Sequence, residues 1–135
     1  MIVVHEDKAP AINVPEPFRR TLKVLLSPAM HPELKALALG FTILPPGGES
    51  DTHAHVEGEM FFVLSGAGCI KARDAKAQLT PGTAVWSPAG ESHQLINDGR
   101  DTLKILWVLC PPGREAAIIE KASQEEHARR QDCKG

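Results

Sequence analysis

The chain is 135 residues long, 42% hydrophobic and 24% charged, with a formal net charge of −2. That balance fits one soluble domain, residues 1–135, whose core needs neither disulfides nor a structural metal. It offers no basic field for nucleic acid or an anionic membrane. No run nears the roughly 18 apolar residues of a spanning helix, and "MIVVHEDKAP" lacks the basic start of a signal peptide.

Residues 1–20 contain the proline-rich stretch "KAPAINVPEPF". Proline removes a backbone donor, so this stretch is neither helix interior nor central strand. It is expected to be an extended arm, lying over the body or reaching a partner. "TLKVLLS" (21–27) predicts a strand, "PAMHPEL" (28–34) a loop, and "KALALGFTILPPGG" (35–48) a strand ended by a proline-glycine turn. "MFFVLSGAGCIKA" predicts two strands about Ser65-Gly66. "AQLTPGTAVWSPAGESHQLIND" predicts three more, broken at Pro81-Gly82 and at Pro88 to Gly90. "DTLKILWVLCPPG" predicts the last. Many short strands at this spacing argue for an all-β sandwich or barrel, its core within 36–110. The tail 114–132 has no glycine or proline and is rich in Ala, Glu, Lys, Arg and Gln, so it is expected to be a C-terminal α-helix. Ala117, Ile118, Ala122 and Ala128 form its narrow packing face.

Chemistry concentrates in "GGESDTHAHVEGEMFFVLSG", which begins at residue 47. On a strand, His53 and His55 project to one face, and Glu59 keeps their parity. A bend at Glu57-Gly58 would swing the Glu59 carboxylate toward the two imidazoles. Two histidines and a carboxylate suit a transition metal and leave positions open for substrate. The bland alternative is a polar strand with a chance pair. His93 opens a strand just after the Pro88 to Gly90 turn, where it can supply a third imidazole if that strand lies beside or opposite the first. The other histidines, His5, His31 and His127, are expected in solvent, with His31 the one able to fold over a pocket. Glu57 is expected on a surface turn, with a role as a base behind the metal ligands as its alternative, and Gln94 facing away from the ligands.

The first stretch resembles the first motif of the cupin superfamily, G-x5-HxH-x3-E-x6-G, filled by Gly47, His53, His55, Glu59 and Gly66. The second motif, G-x5-PxG-x2-H-x3-N, is filled by Gly82, Pro88, Gly90, His93 and Asn97, after an intermotif segment of residues 67–81. The resemblance implies a single cupin β-barrel of the jelly-roll (double-stranded β-helix) type. It implies one divalent transition metal per chain, held by His53, His55, Glu59 and His93. Manganese or iron is the first expectation, nickel or zinc the next. It also implies a homodimer, for which the proline-rich arm is a suitable swapped or edge-covering segment.

By parity Phe61, Val63, Leu95, Ile105 and Trp107 face inward as core and pocket lining. Trp86 is expected in core or edge packing. Cys69, Cys110 and Cys133 form no CxxC pair, which points to free thiols and a reducing, cytoplasmic compartment; Cys69 and Cys110 are expected buried. The chain has no tyrosine to act as a base, and no arginine cluster faces the pocket by parity, which disfavours sugar phosphates. These features lead to a metal-dependent oxidoreductase, dioxygenase-like, acting on a small, mainly apolar organic molecule. Glu59 is then both ligand and catalytic proton carrier. The alternatives are a metal-dependent isomerase or lyase, or a non-catalytic small-molecule-binding cupin.

Overall fold

Alternating apolar residues bounded by Gly, Pro and Asn turns cannot bury one face alone, so strands of this kind stack into two sheets. The computed structural model, which describes residues 1–135, has nine strands and one helix. They are β1 (Ala11–Val14), β2 (Arg20–Leu26), β3 (Ala38–Leu44), β4 (Gly58–Ser65), β5 (Gly68–Ala72), β6 (Ala75–Leu79), β7 (Ala84–Ser87), β8 (His93–Ile96), β9 (Leu103–Cys110) and α1 (Ala116–Asp132). A six-stranded sheet runs β1-β2-β3-β9-β4-β7 and a three-stranded sheet β6-β5-β8. Every pairing is antiparallel. This is the all-β jelly-roll barrel with a C-terminal helix that the motifs imply. No helix is long and apolar enough to cross a membrane.

β4 and β5 are consecutive but lie in different sheets. The Ser65-Gly66 turn therefore carries the chain across the barrel. Gly66 has φ +81°, and a Cβ there would fall 2.2 Å from the Thr102 carbonyl oxygen, so only glycine fits. All four glycines with positive φ, namely Gly47, Gly66, Gly82 and Gly90, are motif glycines. Asn97 is buried. Its amide nitrogen donates to the carbonyls of Leu44 (2.8 Å) and Asp101 (2.9 Å), and its side-chain oxygen accepts from Gly99 N.

The core lies between the sheets and can be read in layers from the register of β4 on β9. Glu59 stands opposite Leu109, Phe61 opposite Trp107, and Val63 opposite Ile105. The Val63–Ile105 layer is completely buried, together with Leu44, Leu79 and Leu103. The arm contributes β1 as an edge strand paired with β2, and Glu6 bridges Lys104 (2.7 Å) and Lys23 (3.6 Å) across the outer sheet face. In α1, Ile118 and Ile119 pack on the core while Ala117 and Ala128 are exposed; the packing face is therefore shifted by one residue from the one expected. Cys69 is buried, but Cys110 is exposed, because Ile105, Trp107 and Leu109 take the inward positions of β9. Trp86 is also exposed, on the outer face of edge strand β7, with its ring over Gly58. Gly58 thus serves close packing; its φ is not positive.

Candidate metal centre

The HxH stretch is not a regular strand. It is an extended segment fixed to β8 by two isolated bridges, Glu49 to Ile96 and His53 to His93. His53 and His93 exchange both backbone hydrogen bonds (3.1 and 3.0 Å), which sets their rings side by side, centroids 4.6 Å apart. His55, two residues on, stacks 5.6 Å from His53. Glu59 enters from the start of β4. One ligand atom from each of His53, His55, Glu59 and His93 lies within 4.8 Å of the others.

Hydrogen bonds fix which ring nitrogen faces the centre. His53 Nδ1 donates to the Asp51 carbonyl (3.0 Å) and His55 Nδ1 to the Glu57 carbonyl (2.8 Å). His93 Nδ1 lies 3.0 Å from Ser87 Oγ and 3.2 Å from the Glu91 carbonyl. With Nδ1 carrying the proton, each Nε2 presents a lone pair. Glu59 Oε2 then meets two such nitrogens, His55 Nε2 at 2.8 Å and His93 Nε2 at 3.4 Å. Acceptors this close need something positive between them, a proton or a metal ion. His93 Nε2 is the one buried side-chain polar atom with no hydrogen-bond partner, and a buried orphan of this kind calls for a ligand. The four donors therefore fit a divalent transition ion.

Without the ion, a proton can stand in its place between His55 and Glu59. Burial is the main cause holding His53 below the usual histidine range. The hydrogen bond that His55 Nε2 donates to Glu59 is the main cause raising His55, against a burial effect of opposite sign. For Glu59 burial is the largest single influence and works upward, but His55 and His93 together outweigh it and keep the carboxyl below its ordinary value. Glu57 is a correction: it is buried, with Oε2 3.4 Å from His55 Nδ1, rather than on a surface turn. Its carboxylate and its backbone carbonyl both stand behind the His55 ring.

A cavity of about 60 Å³ opens over His53, Glu59 and His93. Phe61, Leu95 and Trp107 line it, joined by Leu109. Val63 and Ile105 do not; they lie one layer below, in solid core. His31 stays on the β2–β3 loop, where its Nδ1 accepts from Ser27 N (3.4 Å). Gln94 turns away and donates to the Ser50 carbonyl. Parity places no arginine cluster at the cavity, yet two arginines, Arg20 and Arg114, line it, with Thr42, Ser50 and Glu115. Arg20 opens β2 and shares the inward parity of Leu22 and Val24, a signal that was there to find. Arg114 follows Pro111-Pro112-Gly113, where no periodicity exists.

A family model described as the cupin domain matches residues 40–109, more than half of the chain. An uncharacterised protein of Streptomyces coelicolor is 30% identical over 76 residues, covering 56% of this chain and 71% of that protein. An oxalate-binding protein of Thermotoga maritima is 30% identical over 87 residues, 64% of this chain and 70% of that one. Among solved structures, a predicted oxalate decarboxylase of Thermotoga maritima superposes with a TM-score of 0.67 at 27% identity, over 82% of this chain and all of that one. A polyketide cyclase of Streptomyces resistomycificus reaches a TM-score of 0.70 at 24% identity, over 83% and 80%, a likeness of fold. With both motifs filled, the barrel in place and the family model spanning the site, this chain belongs to the cupin family.

Proposed function

We propose that this chain is a metal-dependent oxidoreductase, dioxygenase-like, acting on a small organic molecule held over an ion bound by His53, His55, Glu59 and His93. The observation that carries the reading is the sealed, partnerless Nε2 of His93 facing the Glu59 carboxylate. A bound manganese or iron ion supplies Lewis acidity and redox chemistry. Three imidazoles fixed through Nδ1 would hold such an ion, with Glu57 behind His55. Phe61, Leu95 and Trp107 exclude water and position the body of the substrate. Glu59 is the residue best placed to take up and return a proton at Oε2. The test is metal content by mass spectrometry, followed by oxygen uptake across a panel of small organic acids and phenols. Bound iron or manganese with substrate-dependent oxygen uptake supports the reading.

A second reading is oxygen-independent lyase chemistry or simple ligand binding. The similarity to an oxalate-binding protein and to a predicted oxalate decarboxylase favours it. Product release without oxygen uptake, or tight binding with no turnover, would select it.

We further propose a homodimer in the cytoplasm. Met60, Phe62, Leu106 and Val108 leave the outer face of the larger sheet apolar, flanked by exposed Leu64 and Trp86. Free cysteines suit a reducing compartment. Light scattering on the purified chain tests the dimer, and a monomer mass would sink it.

A further inference from the structure

The cavity is two-faced. Its floor is His53, Glu59 and His93 with Phe61, Leu95 and Trp107, while Arg20 and Arg114 stand among the polar residues around it. Arg20 is already engaged: one guanidinium nitrogen donates to the Phe18 carbonyl (2.8 Å) and the other to Asp51 Oδ1 (3.0 Å). Arg114 is not engaged. It makes no ion pair. The carboxylate beside it in the chain, Glu115, is committed elsewhere. Its two oxygens accept from Ser27 Oγ and from Gly113 N, each at 2.7 Å. A guanidinium that lines the cavity and has no partner is complementary to an anion.

We infer that Arg114, supported by Arg20, binds the carboxylate of a small monocarboxylic acid whose apolar body lies on Phe61, Leu95 and Trp107. This deepens the proposed function and rests on its reading of the cavity as a small-molecule site. One free guanidinium matches one negative charge, and the apolar floor matches a hydrocarbon or aromatic body. A dianion such as oxalate or phosphate would leave that floor without contacts and would carry a second charge toward the Glu115 side.

The test is calorimetric titration of the full-length protein, metal-free and manganese-loaded, with two acid–amide pairs: benzoate against benzamide, and butyrate against butyramide. Oxalate and inorganic phosphate serve as controls. The wild type should prefer at least one acid over its amide by about tenfold or more. Arg114→Gln should erase the preference, Arg114→Lys should restore part of it, and amide binding should stay unchanged in both. Equal affinity for acid and amide overturns the inference. So do a preference untouched by Arg114→Gln, tighter binding of oxalate or phosphate than of either acid, and no saturation by any probe at millimolar concentration. Metal content is measured on the same samples. Acid preference in protein that takes up no metal leaves this inference standing and removes the metal reading; metal uptake with no acid preference does the reverse.

Discussion

The floor of the cavity and its rim are built in different ways. The floor is periodic. Phe61 and Trp107 are direct cross-strand partners on β4 and β9, and the layer beneath them, Val63 with Ile105, is solid core. The rim is assembled from pieces remote in sequence: Arg20 at the start of β2, and Arg114 and Glu115 at the turn into α1. The floor therefore holds the fold together, whereas part of the rim is free to serve a ligand. Between them sits the cluster that belongs to both, His53, His55, Glu59 and His93.

The largest effect should come from that cluster. Metal content should be near-stoichiometric in the wild type and fall to background in the His53→Ala, His93→Ala double variant, read by mass spectrometry beside a circular dichroism spectrum that stays native. Equal metal in both proteins would detach the ion from this site. Loading should also depend on pH, because metal and proton compete for the same lone pairs. Glu59 favours the His55 proton and raises its affinity above the ordinary histidine value. Metal affinity should therefore fall as pH drops from about 8 to about 6, through and above the usual histidine range. A metal-binding titration flat over that interval would contradict the assigned ligand.

Next in size is the floor. Phe61 is almost fully buried and edge-on to the His93 ring at 5.4 Å. Phe61→Ala should cost about 3–5 kcal/mol, read as a shift in urea midpoint at unchanged slope. The cavity opens directly above this residue, so a loss under about 1 kcal/mol would mean that Phe61 is pocket wall more than core.

Legibility in the sequence follows the same division. Local chemistry was readable. HxH with Glu59 put three donors on one short segment, and the Pro88 to Gly90 turn delivered His93 opposite them. Strand parity assigned the inward residues of β4, β8 and β9 correctly as core, but it carries no depth. Only the register shows that Phe61 and Trp107 border the cavity while Val63 and Ile105 lie beneath it. Arg20 lies one residue before the strand expected over 21–27, in line with Leu22 and Val24, and the partner that lets its charge turn inward, Asp51, is thirty-one residues on. Glu57 failed for a similar reason. A glutamate before a glycine reads as a turn, and its buried contact with His55 depends on Gly113 passing close above it. Arg114 follows a Pro-Pro-Gly break, and no local signal says where the chain goes afterwards.

The rim itself should divide when probed. Glu115 is buried and ties the start of α1 to the barrel through Ser27 Oγ and Gly113 N. Glu115→Ala leaves both donors unsatisfied and should cost about 1–3 kcal/mol, with faster hydrogen exchange in the first turn of α1. A neutral result would show that the helix is held by Ile118 and Ile119 alone.

The smallest expected effect on stability is the most informative about use. Arg114 is exposed and unpaired, so Arg114→Gln should change unfolding free energy by no more than about 0.5 kcal/mol. Its charge has no ion-pair partner in the fold. A residue that is neutral to the empty barrel, yet stands over its cavity, is explained by what enters that cavity. If Arg114→Gln instead destabilised the metal-free protein by more than about 1 kcal/mol, Arg114 would be a structural clamp on the turn into α1, and the contrast between floor and rim would collapse.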